Sequence, residues 1–142
     1  MKSYWRHEDR TRISVSLPCR KKSLGKARGI VKKFAVSHGF AGDAEDIALA
    51  AQEALKNIIQ HACPADNTMR FFCTISDGTM VVEVVDYGMG FDLAAVEEEP
   101  SSPMALHGRG LKLVKGLMDE VSIKSGRNGT VVHMEKRLQE HV

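Results

Sequence analysis

Glu53, Asn57 and His61 recur at four-residue intervals, which places their side chains on one face of an α-helix. The adjacent face of that helix is apolar and consists of Ile47, Ala51, Ala54, Ile58 and Ala62. Asn57 offers a neutral oxygen suited to a hard divalent cation such as Mg²⁺. Glu53, one turn away, could accept a proton from a hydroxyl group or water that attacks a phosphate. An amphipathic helix with solvated polar residues has the same pattern, so the stripe alone leaves both interpretations open.

Asp86 follows an apolar run over residues 80–85 and begins a second segment whose residues could bind a ligand. A carboxylate at a strand end can accept a hydrogen bond from the 6-amino group of adenine, where guanine presents a carbonyl. Gly88 and Gly90 follow, and glycines let the backbone approach a flat ligand without obstruction by a Cβ atom. A plain turn after a strand would also contain these residues.

The third segment, Gly108-Arg109-Gly110, lies directly before a helical pattern that starts at Leu111. Backbone N–H groups and the positive dipole end at a helix N-terminus favour phosphate binding. Arg109 either adds a charge-assisted contact or points to solvent. A Rossmann site is not indicated, because the third glycine, an early βαβ position and the later acidic residue are missing. Together, the three segments predict a site for ATP and a divalent ion.

Hydrophobic periodicity predicts the elements that must position these segments. Polar and apolar residues alternate in predicted strands, whereas apolar residues recur at helical spacing in predicted helices. Asp77-Gly78 is a strong signal for a hairpin between two of the strands. The pattern predicts strands at 12–17, 68–76, 79–85, 121–124 and 130–135, and helices at 23–38, 43–61 and from 111 to about 118. This layout is α+β, with about five strands and three helices on one face of the sheet.

Two segments lack a regular pattern. Residues 1–11 are predicted to be a polar tail, and residues 92–107 an acidic, proline-containing loop. A loop of this length in a compact domain is typical of a functional or mobile segment. Residues 12–142, which include this loop, are predicted to form a single domain.

Composition excludes several classes of protein. No apolar run approaches the roughly 18 residues needed to cross a bilayer. The N-terminal residues contain no apolar signal core, so we expect a cytoplasmic protein without a membrane partner. Cys19, Cys63 and Cys73 are widely separated, and this pattern predicts free thiols with neither a disulfide framework nor a zinc site.

Basic residues are concentrated near the start of the chain, where residues 1–33 contain eleven lysines and arginines. Binding to nucleic acid is not predicted, because this region lacks an interleaved series of aromatic residues. Several of the lysines fit the solvated face of the first helix. An acidic protein partner is the more plausible ligand for this face.

The three segments resemble the N, G1 and G2 boxes of the histidine-kinase-like ATPase superfamily, which includes gyrase, Hsp90, histidine kinases and MutL. The matching residues are Glu53-x₃-Asn57-x₃-His61-Ala62, Asp86-x-Gly88-x-Gly90-Phe91 and Gly108-x-Gly110-Leu111. Residues 117–121, which read Leu-Met-Asp-Glu-Val, are similar to those of a stand-alone branch, the anti-sigma-factor serine kinases of bacterial partner-switching systems. The resemblance covers residues 12–137.

The resemblance implies a two-layer α/β sandwich, the Bergerat fold, with a mixed sheet and a lid at residues 92–107. It implies that Glu53 is the general base, Asn57 the Mg²⁺ ligand and Asp86 the group that recognises adenine. The remaining implied ATP-binding residues are His61, Gly88, Gly90, Gly108, Arg109, Gly110 and Leu111. Members of the branch bind a sigma factor or another effector, phosphorylate a STAS-domain antagonist on serine, and commonly dimerise.

One departure from the family concerns the terminal phosphate. Some members carry an arginine just before the first glycine of the third box, where this chain has Leu106-His107. Two alternatives therefore remain beside the serine kinase. The first is a nucleotide-regulated binding module without kinase activity. The second is the ATP-binding half of a split histidine kinase, which is disfavoured because no helical segment with a phosphorylatable histidine precedes residue 12.

Overall fold

The computed structural model describes residues 5–8, 11–61, 66–86, 108–126 and 129–138. Strands and helices account for most of this part of the chain. In chain order they are β1 (Trp5–Glu8), β2 (Arg12–Pro18), α1 (Lys22–Ser37), α2 (Ala44–His61), β3 (Thr68–Ser76), β4 (Thr79–Asp86), α3 (Gly108–Leu117), β5 (Glu120–Gly126) and β6 (Gly129–Arg137). The predicted α+β class is confirmed.

The six strands form one sheet in the order β1-β2-β3-β4-β6-β5. Each pairing between these described strands is antiparallel, so this sheet is antiparallel rather than mixed as predicted. Residues 5–8, predicted to belong to a polar tail, form the edge strand β1 against β2. A four-residue strand is too short to show a clear period of two, and its pairing depends on backbone hydrogen bonds that the side-chain pattern does not report.

The hydrophobic core lies between one face of the sheet and the helices, as predicted. Strand register aligns the buried residues on a common face: Val15 is opposite Phe71, which is opposite Val84. All three helices contribute to the same core. Its largest fully buried side chains are Phe40, Phe71, Ile13, Leu17, Ile47, Leu55, Ile58, Met69, Met80, Met134 and Val15.

Helices α1 and α2 pack against each other and are also linked at the surface by charged side chains. The Arg28 guanidinium group lies 3.0 Å from Glu45 Oε2 and 3.4 Å from Gln52 Oε1. Lys32 forms a second ion pair with Glu45. Hydrogen bonds from Lys32 and Arg28 lower the pKa of the Glu45 carboxyl group. These contacts hold the first half of α2, so they help to fix the helix that carries the first predicted segment.

The β3–β4 hairpin confirms the turn predicted at Asp77-Gly78. Both residues have positive φ, 49° for Asp77 and 74° for Gly78, as a two-residue turn with right-handed strand twist requires. The third helix differs from prediction at its start. It begins at Gly108 rather than after Gly110, so the glycines belong to its first turn.

The cysteines differ in their chemical state, which the prediction of free thiols did not anticipate. Cys73 is a free, fully buried thiol, and burial raises its pKa. Cys19, after β2, is disulfide-bonded, so the prediction is wrong for this residue. The spacing of cysteines along the sequence does not report which of them the fold brings together. Within the described ranges, no helix is long and apolar enough to cross a membrane.

Candidate functional site

The polar stripe of α2 passes from solvent into the protein interior. Asp46, in the first turn, is exposed, Glu53 is half-buried, and Asn57 is only 9% exposed. The apolar residues beside this stripe belong to the core, and α2 packs against both α3 and β4. The stripe therefore reaches the protein interior at Asn57. His61 is the last residue of α2, and its side chain lies outside the described part.

Asp86 ends β4 and is one of the most deeply buried polar residues, at 1% exposure. Alternation along β4 puts Asp86 on the same face as the core residues Val82 and Val84. Its register partner on β6 is Thr130, which is also 1% exposed. A carboxylate and a hydroxyl group thus lie side by side at one end of the sheet, on the side of the helices.

Few polar side chains are buried in the part of the chain that the structure describes. They are Ser23, Asn57, Asp86 and Thr130. Ser23 has a local role, because its Oγ donates a hydrogen bond to the Pro18 carbonyl at 2.6 Å. Burying a polar group costs free energy unless it is compensated, so buried polar groups indicate a specific role. Two of the other three, Asn57 and Asp86, are residues that the sequence predicted for the site.

Thr130 was not predicted as a site residue. In the sequence it is the first residue of an alternating strand, and nothing in its neighbourhood distinguishes it from other strand threonines. Only the β4–β6 register, which places it beside Asp86, gives it significance. A polar residue at the start of a strand, on its core-facing side, is the one signal that could have found it.

The first turn of α3 contains Gly108 and Gly110, and the helix packs against α2. The first turn of a helix presents backbone N–H groups without intrahelical partners, which suits an anion. The side chains of Arg109 and Leu111 lie outside the described part of the structure. Gly88, Gly90 and the predicted lid at residues 92–107 lie outside the described residues altogether.

A different polar cluster lies on the opposite face of the sheet. His133 Nδ1 is 3.0 Å from Glu83 Oε2, and His133 Nε2 is 2.7 Å from Glu135 Oε2. These residues line an open cavity of about 250 Å³ together with Ser122, Lys124 and Val131. Within the described ranges, no group of three or more His, Cys, Asp or Glu residues could hold a metal ion. This cluster is separate from the predicted site, since it is on the face away from the helices.

Comparison with known families gives a match over most of the chain. The model of the family described as "Histidine kinase-like ATPase domain" matches residues 17–136. This range includes α1, α2 and α3, and it also includes Glu53, Asn57, Asp86 and Thr130.

Individual relatives agree with this match. The serine-protein kinase RsbW of Halalkalibacterium halodurans is 32% identical over 142 residues, which cover 94% of this chain and 86% of the relative. The serine-protein kinase RsbW of Bacillus licheniformis is 31% identical over 140 residues, which cover 89% of this chain and 85% of the relative.

Two solved structures share the fold. The RsbU and RsbW domains of Rv1364c from Mycobacterium tuberculosis match with a TM-score of 0.71 and 19% identity. That match covers 95% of this chain and 34% of the solved chain. The blue-light activated histidine kinase of Erythrobacter litoralis EL346 matches with a TM-score of 0.54 and 20% identity, over 86% of this chain and 42% of the solved chain. At these identities the likeness bears on the fold.

Proposed function

Because the chain belongs to the histidine-kinase-like ATPase domain family and to its serine-protein kinases, we propose that it transfers the γ-phosphoryl group of ATP to a serine of a STAS-domain protein. The predicted family and the predicted enzyme class, a protein serine kinase, are confirmed. The identity of the acceptor protein, the role of individual residues and the requirement for Mg²⁺ belong to the proposal.

The observation that carries the proposal is the burial of Asn57, Asp86 and Thr130. Asn57 lies on α2, and Asp86 and Thr130 lie on the face of β4 and β6 that is covered by the helices. Apolar residues at these positions would need no hydrogen bonds to compensate their burial, so polar side chains at all three favour a polar ligand on this side of the sheet. The family match gives the ligand class, a nucleotide.

Asp86, with Thr130 beside it, would bind the adenine base. The carboxylate accepts a hydrogen bond from an exocyclic amine and rejects the carbonyl of guanine. Asn57 would bind Mg²⁺ through its amide oxygen, and this fits because Mg²⁺ usually takes only one or two protein ligands beside water and phosphate oxygens. When bound, the ion would neutralise negative charge on the phosphate groups.

Glu53 would act as the general base. The serine hydroxyl of the substrate protein would lose its proton to the Glu53 carboxylate while its oxygen bonds to the γ-phosphorus. The bond from that phosphorus to the β,γ-bridging oxygen breaks, and ADP leaves with the electron pair. Half-burial suits this role, since Glu53 must be reached by a substrate protein and yet lie beside the interior of the site.

The remaining predicted contacts concern the phosphates and the enclosure of the nucleotide. Backbone N–H groups at Gly108 and Gly110 would bind phosphate oxygens, with Arg109 adding positive charge and Leu111 as a further nucleotide-binding residue. His61, Gly88 and Gly90 would border the nucleotide, and residues 92–107 would cover it. All of these assignments follow from the resemblance of the three sequence segments to the family boxes.

The proposed partners follow from the same branch of the family. Beside the STAS-domain protein, the chain would bind a sigma factor or another effector, and it would act as a homodimer in the cytoplasm. The exposed lysines Lys21, just before α1, and Lys22 and Lys33, within it, would favour an acidic protein surface. Neither nucleic acid nor a membrane is among the proposed partners.

The test compares two carboxylate substitutions on the same helix. Glu53→Ala should reduce phosphate transfer from labelled ATP to the STAS-domain protein by at least about 100-fold, because general-base catalysis contributes 10²–10⁴-fold. ATP affinity should change little, since the proposed role of Glu53 is in the transfer step. Asp46→Ala removes an exposed carboxylate from the first turn of α2 and serves as the matched control, with transfer unchanged.

A second candidate function is a binding module in which the nucleotide controls only partner affinity. The residues Leu106-His107 favour it, because an arginine at this place in some family members reaches the terminal phosphate. If the wild-type protein binds ATP but no label reaches serine, with Glu53→Ala behaving identically, the kinase proposal is wrong and the binding module is supported.

A further inference from the structure

The C-terminal end of α3 is held by a side chain from the sheet. Lys136 of β6 donates a hydrogen bond from Nζ to the carbonyl oxygen of Leu117, the last residue of the helix, at 3.0 Å. The last carbonyl groups of a helix have no intrahelical partners and carry partial negative charge, so an ammonium group there is doubly favourable. The contact is partly buried, and it ties α3 to β6.

Asp119, two residues after the helix, forms two more hydrogen bonds with β6. Its backbone N–H donates to the Glu135 carbonyl at 2.8 Å, and its Oδ2 accepts from the Arg137 backbone N–H at 2.7 Å. Asp119 is exposed, so apolar packing does not fix its position. The two hydrogen bonds fix its position, and their partners on β6, Glu135 and Arg137, are the residues on either side of Lys136.

The connection between α3 and β5 is short, which makes this arrangement tight. Met118 is buried, and its N–H donates to the Val114 carbonyl at 3.1 Å, which extends the helical pattern by one residue. Glu120 is already paired in register with Glu135 as the first residue of β5. The helix therefore ends directly at the sheet, and the three hydrogen bonds set the direction in which it leaves.

We infer that Asp119 and Lys136 are positioning residues that fix the C-terminal end of α3 and thereby set the location of its glycine-containing first turn. The inference rests on the proposed function for the part that concerns phosphate. A ten-residue helix is about 15 Å long, so a tilt of about 5° at one end displaces the other by about 1 Å. Misplacement on this scale is enough to weaken contacts to a ligand.

The substitutions Asp119→Ala and Lys136→Met each remove one side-chain contact. Lys136 is half-buried and lies on the core-facing side of β6, opposite Met80 in register, so methionine keeps its apolar stem. Asp119→Asn retains an oxygen that can accept from the Arg137 N–H and should behave like the wild type. Arg137→Ala is the matched control, because it removes an exposed side chain but keeps the backbone N–H that contacts Asp119.

The first measurement compares the affinities for MgATP and AMP. Asp119→Ala and Lys136→Met should weaken ATP binding by about three- to tenfold, a range bounded by the free energy of the hydrogen bond that each removes. AMP affinity should stay within twofold of wild type, since the adenine contacts lie on β4 and β6. Equal losses for ATP and AMP, or losses in Arg137→Ala as large as those in Asp119→Ala, would overturn the inference.

The second measurement is hydrogen exchange of the α3 amides in the protein without nucleotide. Asp119→Ala and Lys136→Met should increase exchange at residues 112–117, whereas Arg137→Ala should leave it unchanged. Unchanged exchange in both Asp119→Ala and Lys136→Met would contradict the inference that these residues fix the end of α3, even if ATP binds well. Failure of the wild type to bind ATP would instead contradict the proposed function. The exchange data would still decide whether Asp119 and Lys136 fix the end of the helix.

Discussion

His133 lies between two carboxylate groups on the face of the sheet away from the helices. Each of its ring nitrogens is within hydrogen-bonding distance of a glutamate oxygen, one from Glu83 on β4 and one from Glu135 on β6. Because both partners are acceptors, only the doubly protonated imidazolium can donate to both. Burial favours the neutral form, but the hydrogen bonds with Glu83 and Glu135 outweigh it and raise the pKa of His133.

This geometry predicts a pH-dependent contribution to stability. A raised pKa in the folded state means that the contribution is complete below about pH 6.5, the ordinary histidine value, and is lost as pH rises through the folded-state pKa. Lys124 lines the same cavity, and its positive charge opposes the imidazolium. For this partly exposed cluster we expect His133→Gln to cost about 0.5–1 kcal/mol at low pH and less at high pH.

Urea denaturation of wild type and His133→Gln between pH 5.5 and 8.5 checks this prediction. Glu120→Gln is a suitable control, since Glu120 is exposed and contacts Arg137 rather than His133. A stability difference between wild type and His133→Gln that is constant with pH would contradict the assignment of a protonated His133.

At the scale of single residues, the sequence drew attention to Asn57 and Asp86, two of the buried polar residues, but not to Thr130. Asn57 is one of three polar residues spaced by four positions, and Asp86 directly follows an apolar run. Each is therefore visible in the local sequence. The importance of Thr130 arises from the register of two strands more than 40 residues apart in the chain. The disulfide of Cys19 was missed for the same reason, because it depends on which residues the fold brings together.

At the scale of elements, regular periodicity predicted the position of α1, α2 and the β3–β4 hairpin to within one residue at most boundaries. Prediction from periodicity failed where side-chain pattern does not determine the secondary structure. Edge strand β1 depends on backbone pairing with β2, and the start of α3 includes two glycines, which have low intrinsic helix propensity. Packing of α3 against α2 compensates for that low propensity.

Substitution by alanine is expected to have opposite effects at a turn glycine with positive φ, Gly78, and at a helical glycine, Gly25. Gly78 has φ of 74°, so alanine there is strained, and Gly78→Ala should destabilise the protein by about 1–2 kcal/mol. Gly25 is exposed within α1, and a Cβ atom there would meet no atom within 4 Å. Gly25→Ala should therefore stabilise the protein by about 0.5–1 kcal/mol, because alanine has the higher helix propensity.

Denaturant midpoints of the two variants provide the measurement. The comparison is informative because both changes add one methyl group in open space, so packing is the same in both. Stabilisation by both changes would show that the turn at Asp77-Gly78 relaxes to another conformation. Destabilisation by both would contradict the helix-propensity argument for Gly25.

At the scale of the whole molecule, the proposed nucleotide site and the core share one face of the sheet. Asp86 and Thr130 continue the rows of buried strand residues, and α2 contributes to both the core and the polar stripe. Binding in such a site stabilises the fold, because the ligand binds the folded state alone. The free energy gained is RT ln(1 + [L]/Kd), about 2.7 kcal/mol at a ligand concentration of 100 times Kd.

For a domain of 142 residues, this gain should raise the melting temperature by about 10 °C at saturating MgATP, since 1 kcal/mol corresponds to about 3–5 °C at this size. MgGTP should give a much smaller shift, because Asp86 would meet a carbonyl instead of an amine. Asp86→Ala removes the acceptor and should abolish most of the ATP shift, whereas Asp77→Ala, the same change in the exposed turn that precedes β4, should retain it. Differential scanning fluorimetry measures all four. An equal shift with ATP in Asp86→Ala and Asp77→Ala would mean that adenine is not recognised at the end of β4, and the buried pair of Asp86 and Thr130 would then need a structural explanation.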